Sequence, residues 1–313
     1  MNLRSTEWGR GRLIYLFYII ADLLCMRKAN RNLLFRDVNF LTSIRPFRNY
    51  LNLKSLEKVS KYILDEFGSC GFECVGQKWE AEGNEYKNII ASWQKKKKRR
   101  LIVGAHYDVA GDQPGADDNA SAVAGLLETA RMVSENQPEL DYGIDFVAYS
   151  LEEAPFFTTK EMGSYIHAKS LVDGRVDVIG MICYEMIGYF SDKPGSQTFP
   201  VPELAAIYPD TGNYIVVVGI EKCKEFNETM YSLMSEKSCI NVEKIDFPDG
   251  NGLAGRSDQR NYWELGYKAV MICDTSFLRN PNYHKMSDTI ETLDFDKMKE
   301  VVNSSYNAII KLD

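Results

Sequence analysis

Apolar positions along the chain recur in two rhythms. In SLEKVSKYILDEF, residues 55–67, Leu56, Val59, Ile63 and Phe67 fall at helical intervals, with Ser55 placed to cap the helix and Gly68 to stop it. FECVGQKWE (72–80) and NIIASWQ (88–94) read as strands, and LIVGAHY (101–107), apolar on both faces, reads as a buried one. There follow a helix from about Ser121 to Ser134, the strand IDFVAYS (144–150), a helix near 161–170, and the strands VIGMICYE (178–185) and YIVVVGI (214–220). A helix near 222–236 and the strand YKAVMIC (267–273) come next, and DFDKMKEVVNSSYNAII (294–310) closes the chain as a helix with Phe295, Met298, Val302 and Ile309 on one face. Strands and helices interleave throughout. This predicts an α/β fold with a mixed, largely parallel central sheet sandwiched between helices.

Three segments escape the rhythm. Residues 190–213 carry four prolines and little periodicity, and residues 246–257 are rich in glycine; both read as long loops. GNGLAG in the second formally matches GxGxxG at Gly250, Gly252 and Gly255, but a dinucleotide site needs that motif to run straight from a strand into a helix. Pro248 and Asp249 break the first junction and Arg256 and Ser257 delay the second, so we read it as a loop. The basic run Lys95 to Arg100, between two strands, reads as a solvated hairpin turn.

At the N-terminus, LIYLFYII (13–20) follows Arg10 and Arg12 and resembles the core of a signal segment, but Asp22 interrupts it and it is too short to span a bilayer. A helix packing through Leu13, Leu16, Phe17, Ile20 and Leu24 accounts for the same letters. Residues 1–50 are therefore expected to be an N-terminal helical extension or weak targeting segment, followed by one catalytic domain over 51–313. A cytoplasmic location is expected over export, with no stable membrane insertion.

With 313 residues, 45% of them hydrophobic, the chain can bury a large core without staples. Its formal charge of −7 argues against nucleic acid as a partner. Seven cysteines form no CxxC pair. Cys183 and Cys273 sit in apolar strands as core thiols, nothing fixes a Cys70 to Cys74 bridge, and the set reads as mostly reduced.

Candidate chemistry lies at the ends of the predicted strands, where α/β sheets collect their ligands. The strand ending at 107 delivers His106 and Asp108, and the helix after it begins just past Asp117 and Asp118. Glu152 and Glu153 follow the strand ending at 150, Glu185 ends its own strand, and His284 follows the last one. Several anionic groups in one partly desolvated pocket repel one another by several kcal/mol, unless a cation of high charge neutralises them. A divalent metal does so, and nitrogen with oxygen donors suits zinc, with manganese or cobalt left open. Five protein ligands exceed what one catalytic zinc uses; two ions bridged by a shared carboxylate fit the count. His167, on a predicted helix, has no such company and reads as a packing or surface residue.

GAHYD, PGADDNAS, the EE pair, YEMIGY and YHKMSDT, in this order, resemble the co-catalytic zinc aminopeptidases of peptidase clan MH, the bacterial leucyl aminopeptidase type. Glutaminyl cyclases and the transferrin-receptor ectodomain are relatives. The likeness runs from roughly Leu53 to the C-terminus. It implies that His106 and Glu185 hold one zinc, that Glu153 and His284 hold the other, and that Asp118 bridges them. Asp108 would orient the His106 ring, as physical reasoning also expects of a carboxylate beside a ligating imidazole. Glu152 would be the general base. Ala122 stands where the family usually has Gly, and Glu185 where it often has Asp. The implied activity is removal of N-terminal residues from peptides with a free N-terminus, with cyclisation of glutaminyl peptides, or a non-catalytic binding role, as alternatives. Phe156, Phe157, Tyr189, Trp263 and the 190–213 loop are candidates for the wall that closes the cleft.

Overall fold

The computed structural model describes residues 26–236 and 238–312. The helix anticipated around Leu13 to Leu24 lies outside them. In chain order the elements are α1 (Arg31–Ser43), α2 (Leu53–Ser69), β1 (Glu73–Ala81), β2 (Asn84–Trp93), β3 (Arg99–His106), α3 (Ala122–Asn136), β4 (Gly143–Tyr149), α4 (Gly163–Asp173) and β5 (Asp177–Glu185). They continue with a short α5 (Pro202–Ala205), β6 (Tyr214–Ile220), α6 (Lys224–Ser235), β7 (Asn241–Phe247), α7 (Gln259–Glu264), β8 (Ala269–Cys273) and α8 (Phe295–Ile309). One eight-stranded sheet runs in the order β1-β2-β4-β3-β5-β8-β6-β7. Its four central strands, β4, β3, β5 and β8, are mutually parallel, so their carboxyl ends share one edge. β2 joins antiparallel to β4, and β6 antiparallel to β8.

Each face of the sheet is covered by helices. One core packs α1, α2, α3, α6 and α8 against the sheet through residues such as Leu34, Ile63, Leu126, Met230 and Val302; the other packs α4 and α7 through Ala168, Leu171, Tyr262 and Trp263. β3 through β5 are buried on both faces near the site, which is why their sequences are continuous apolar runs and not alternating ones. No helix among the described residues is long and apolar enough to cross a membrane.

Several sequence expectations need correction. Ser55 does not cap α2: Asn52 is the capping position, and Ser55 lies buried in the first turn, its Oγ donating to the Pro46 carbonyl at 2.6 Å. Nor does Gly68 stop the helix, which runs to Ser69, with Gly71 taking the left-handed conformation (φ 75°) just beyond. The basic run is no hairpin, because β4 lies between β2 and β3. Its last residue, Arg100, is buried in β3 and paired with Asp145 of β4, Nε to Oδ2 at 2.9 Å. β7 carries no clear strand pattern in the sequence because its alternation is weak on a half-buried edge, and Asp246 and Phe247 belong to it and not to the loop. α1, within the segment expected as a helical extension or weak targeting segment, is capped by Asn30, whose side chain accepts from the amides of Asn32 and Leu33. It buries Leu34, Val38 and Leu41, each contributing about 1.5–3 kcal/mol. Gly250, Gly252 and Gly255 lie between β7 and α7 without opening a helix. The six cysteines among the described residues are free thiols.

Candidate metal centre

Three strand ends and two loops build the site. β3 ends on His106, and the segment after it returns through a wide turn at Ala116–Ser121 whose Asp118 and Asn119 leave helical geometry before α3 begins. Leu151 (φ 63°) precedes the acidic pair after β4, Met186 (φ 48°) follows Glu185 at the end of β5, and His284 itself has φ 56°. Left-handed backbone at three such non-glycine positions costs energy that only surrounding packing can hold, and it turns these side chains toward one point.

At that point Nε2 of His106 lies 3.4 Å from Asp118 Oδ1, 3.3 Å from Glu185 Oε2 and 3.8 Å from Glu152 Oε2. Nε2 of His284 lies 3.0 Å from Asp118 Oδ2 and 3.4 Å from Glu153 Oε2. Three donor groups result, His106 with Asp118 and Glu185, His106 with Glu152 and Glu153, and Asp118 with Glu153 and His284; the first and the last share Asp118. All are buried except His284, 36% exposed, which marks the open side. All seven residues singled out from the sequence are here, with Asp108 behind His106, 3.5 Å from its Nδ1.

The donor chemistry fits a divalent metal. Asp118 Oδ1 and Glu153 Oε1 are buried with no hydrogen-bond partner in the protein, acceptors that a cation would satisfy. Titration points the same way. Burial, then the charges of Asp118, carry Glu153 up to about 7, while burial followed by Glu153, Glu185 and Asp258 lifts Glu152 well above the usual carboxylate range against the pull of His106. Burial resists charging His284, yet hydrogen bonds to Asp118 and Glu153 push it up to about 10. Glu152, Glu153 and His284 thus hold protons where a metal would relieve them.

Residues that motif reading did not reach hold these ligands. Ser257 Oγ donates to Glu185 Oε2 at 2.6 Å and Asn119 Nδ2 to the same oxygen at 3.1 Å. Asp288 accepts the amides of Asp117 and Asp118 at 2.9 and 3.1 Å. Asp117 faces away from the metal donors, taking Gly188 N and Asn280 Nδ2. Tyr283 stacks on the His284 ring, centroids 3.8 Å apart, and burial together with the negative field of Asp118, Glu153, Glu185 and Glu152 keeps its phenol protonated. Asn119 and Tyr283 adjoin predicted ligands and were findable on that ground; Ser257 lies inside what read as a bare loop.

An apolar cavity of about 100 Å³ is lined in part by Cys273, the sheet partner of Glu185. Phe199, Tyr208, Tyr214, Phe247, Met271 and Phe277 are among its walls, drawn largely from the two long loops and the edge strands. Two of the wall candidates named from sequence are elsewhere. Trp263 is core, its Nε1 donating to Ala269 O at 2.9 Å, and Phe156 is buried against Tyr50 and Tyr86. Phe157 lies under Arg260, and Tyr189 is half-buried with its amide on Asp274. His167 is a packing residue, its Nδ1 2.6 Å from the Tyr262 hydroxyl.

Known proteins resemble this chain in sequence and fold. The model of peptidase family M28 matches residues 88–309. The chain is 40% identical over 286 residues to the uncharacterized protein YfbL of Escherichia coli K12, covering 88% of this chain and 87% of that one. It is 27% identical over 259 residues to a probable leucine aminopeptidase of Trichophyton verrucosum, covering 78% and 61%. Among solved structures, LapB from Legionella pneumophila superimposes with a TM-score of 0.72 at 20% identity, over 90% of this chain and 72% of that one. The Bacteroides thetaiotaomicron glutaminyl cyclase gives 0.72 at 19% identity, over 92% and 100%. At such identities the structural likeness is one of fold.

Proposed function

The chain belongs to peptidase family M28, and on that premise we propose that it is a zinc-dependent aminopeptidase that hydrolyses N-terminal residues from peptides. The observation that carries this reading is the pair of donor sets sharing Asp118. His106 and Glu185 would hold one zinc, Glu153 and His284 the other, with Asp118 between them. Bound there, zinc would supply a water whose pKa falls from 15.7 toward about 7 and a Lewis acid for the scissile carbonyl.

The remaining work falls to this chain's own side chains. Glu152, buried beside the donors and with raised proton affinity, takes the proton of the attacking water and hands it to the leaving amine. Asp108 orients the His106 ring from the Nδ1 side. Tyr283, protonated and within the field of the same carboxylates, is the donor for the negative oxygen that develops on the carbonyl. The apolar cavity lined by Cys273, the sheet partner of Glu185, receives the side chain of the N-terminal residue, and five aromatic walls favour a large apolar one.

The test is metal analysis of the purified chain combined with a substrate set: aminoacyl anilides, short peptides, the same peptides N-acetylated, and glutaminyl peptides. Release of free amino acids that requires a free N-terminus and is abolished by chelation is the expected result. Full activity in a metal-free chain would sink the reading. Ammonia release from glutaminyl peptides alone would assign the site to cyclisation, the chemistry named for one of its structural neighbours.

A further inference from the structure

Arg48 stands between α1 and α2, upstream of the residues that match the family, and is 1% exposed. Its guanidinium goes to backbone carbonyls: Nε to Tyr107 at 2.9 Å, Nη1 to Leu41 at 3.3 Å and to Pro114, and Nη2 to Gly115 at 2.7 Å. Burial draws its pKa down to about 10, opposed by the charges of Asp288, Asp118, Asp108 and Glu153, so it is a cation at neutral pH.

Tyr107, Pro114 and Gly115 mark the two ends of one loop. That loop leaves His106 and arrives at Asp118. Its middle is tied to the same segment, Val109 N donating to Arg48 O at 3.3 Å and Asn49 Nδ2 to Gly111 O at 2.7 Å. Gly115 has φ 60°, and a Cβ there would stand 3.1 Å from Arg48 Nη2 and 2.3 Å from Asp118 O, so glycine is what lets the fork close on the chain. At the far end of the loop Asp288 takes the amides of Asp117 and Asp118. A guanidinium thus holds the loop's carbonyls and a carboxyl group its amides. Metal ligands must be held within about 0.5 Å of productive geometry, and a planar fork can fix two chain segments at once where a lysine point charge cannot.

Resting on the metallopeptidase reading above, we propose that Arg48 is a positioning residue for the metal centre: by clamping both ends of the 107–115 loop it sets the spacing of His106 and Asp118.

Zinc titration against a competing chelator, with steady-state kinetics, on the wild-type chain and Arg48→Lys provides the test. Lysine keeps the charge and loses the fork. We expect zinc affinity to fall roughly 10- to 100-fold, in the range seen when groups supporting metal ligands are removed, and kcat at saturating zinc to fall with KM nearly unchanged. Wild-type zinc affinity and kcat in Arg48→Lys would overturn the proposal. A wild-type chain that binds no zinc would instead remove the reading on which it rests. Hydrogen exchange on the metal-free wild-type chain tests the same idea without a variant: amides of 107–118 should be protected as well as those of β3. Rapid exchange that slows only when zinc is added would show a loop ordered by metal and overturn the clamp.

Discussion

The carboxylate of Asp108 accepts the backbone amide of Glu152 on Oδ1 at 3.2 Å while lying 3.5 Å from the His106 ring nitrogen on the same oxygen, and its Oδ2 takes the amide of Glu153 at 3.1 Å. One side chain therefore couples an imidazole at the end of β3 to both acids after β4. Asp108→Asn retains an acceptor on one side only and turns a donor toward an amide. Zinc affinity should fall about 10- to 100-fold, measured by chelator competition; an unchanged affinity would mean that the ligands hold themselves.

Glu152 and Glu153 are neighbours with different expected failures. Glu152→Gln should lower turnover by roughly two or more orders of magnitude while zinc content stays intact. Glu153→Gln removes an oxygen from the set with Asp118 and His284 and should lower zinc content itself. Equal zinc loss in both variants would refute the division of roles.

Zinc binding should release protons. In the metal-free protein His284 titrates at about 10 and Glu153 at about 7, both above their ordinary values, so below those pH values zinc competes with protons for its donors. Apparent affinity should therefore rise with pH between about 6 and 8. Calorimetry in buffers of different ionisation enthalpy reads the proton count directly, and a count of zero would contradict the site.

Tyr283→Phe keeps the ring stacked on His284 and deletes only the hydroxyl. Loss of one oxyanion donor costs about 10²–10³ in kcat, so the variant should retain zinc and KM while turnover drops by that order. A KM effect alone would make Tyr283 a substrate-binding residue.

Far from the metal donors, His167 is buried and its pKa is lowered by burial from 6.5 to about 4. The folded protein thus binds fewer protons here than the unfolded chain between those values, and stability falls as pH drops through that window. The full effect, reached near pH 4, is about 3 kcal/mol. His167→Gln keeps an acceptor for the Tyr262 hydroxyl without a titrating group. Thermal unfolding at pH 7 and pH 4.5 should separate them: the variant should lose less stability on acidification than the wild type.

The sequence by itself determined the class of fold and which acids and imidazoles stand at the ends of its strands. Strands buried on both faces must be apolar throughout, so LIVGAHY, IDFVAYS and VIGMICYE announce the parallel middle of a sheet, and acids and imidazoles placed at their ends can be read one strand at a time. Tertiary structure decided what local pattern cannot encode. Whether Lys95 to Arg100 joins paired strands depends on β4, about fifty residues onward, which slips between β2 and β3 and draws Arg100 to Asp145. Trp263 has the composition of a binding wall, yet its burial is set by Ala269 and the second core. The helper residues Ser257, Asp288 and Arg48 make hydrogen bonds to partners that include ones 72, 170 and 59 positions away, contacts that leave no period in the chain and exist only once the layers have closed.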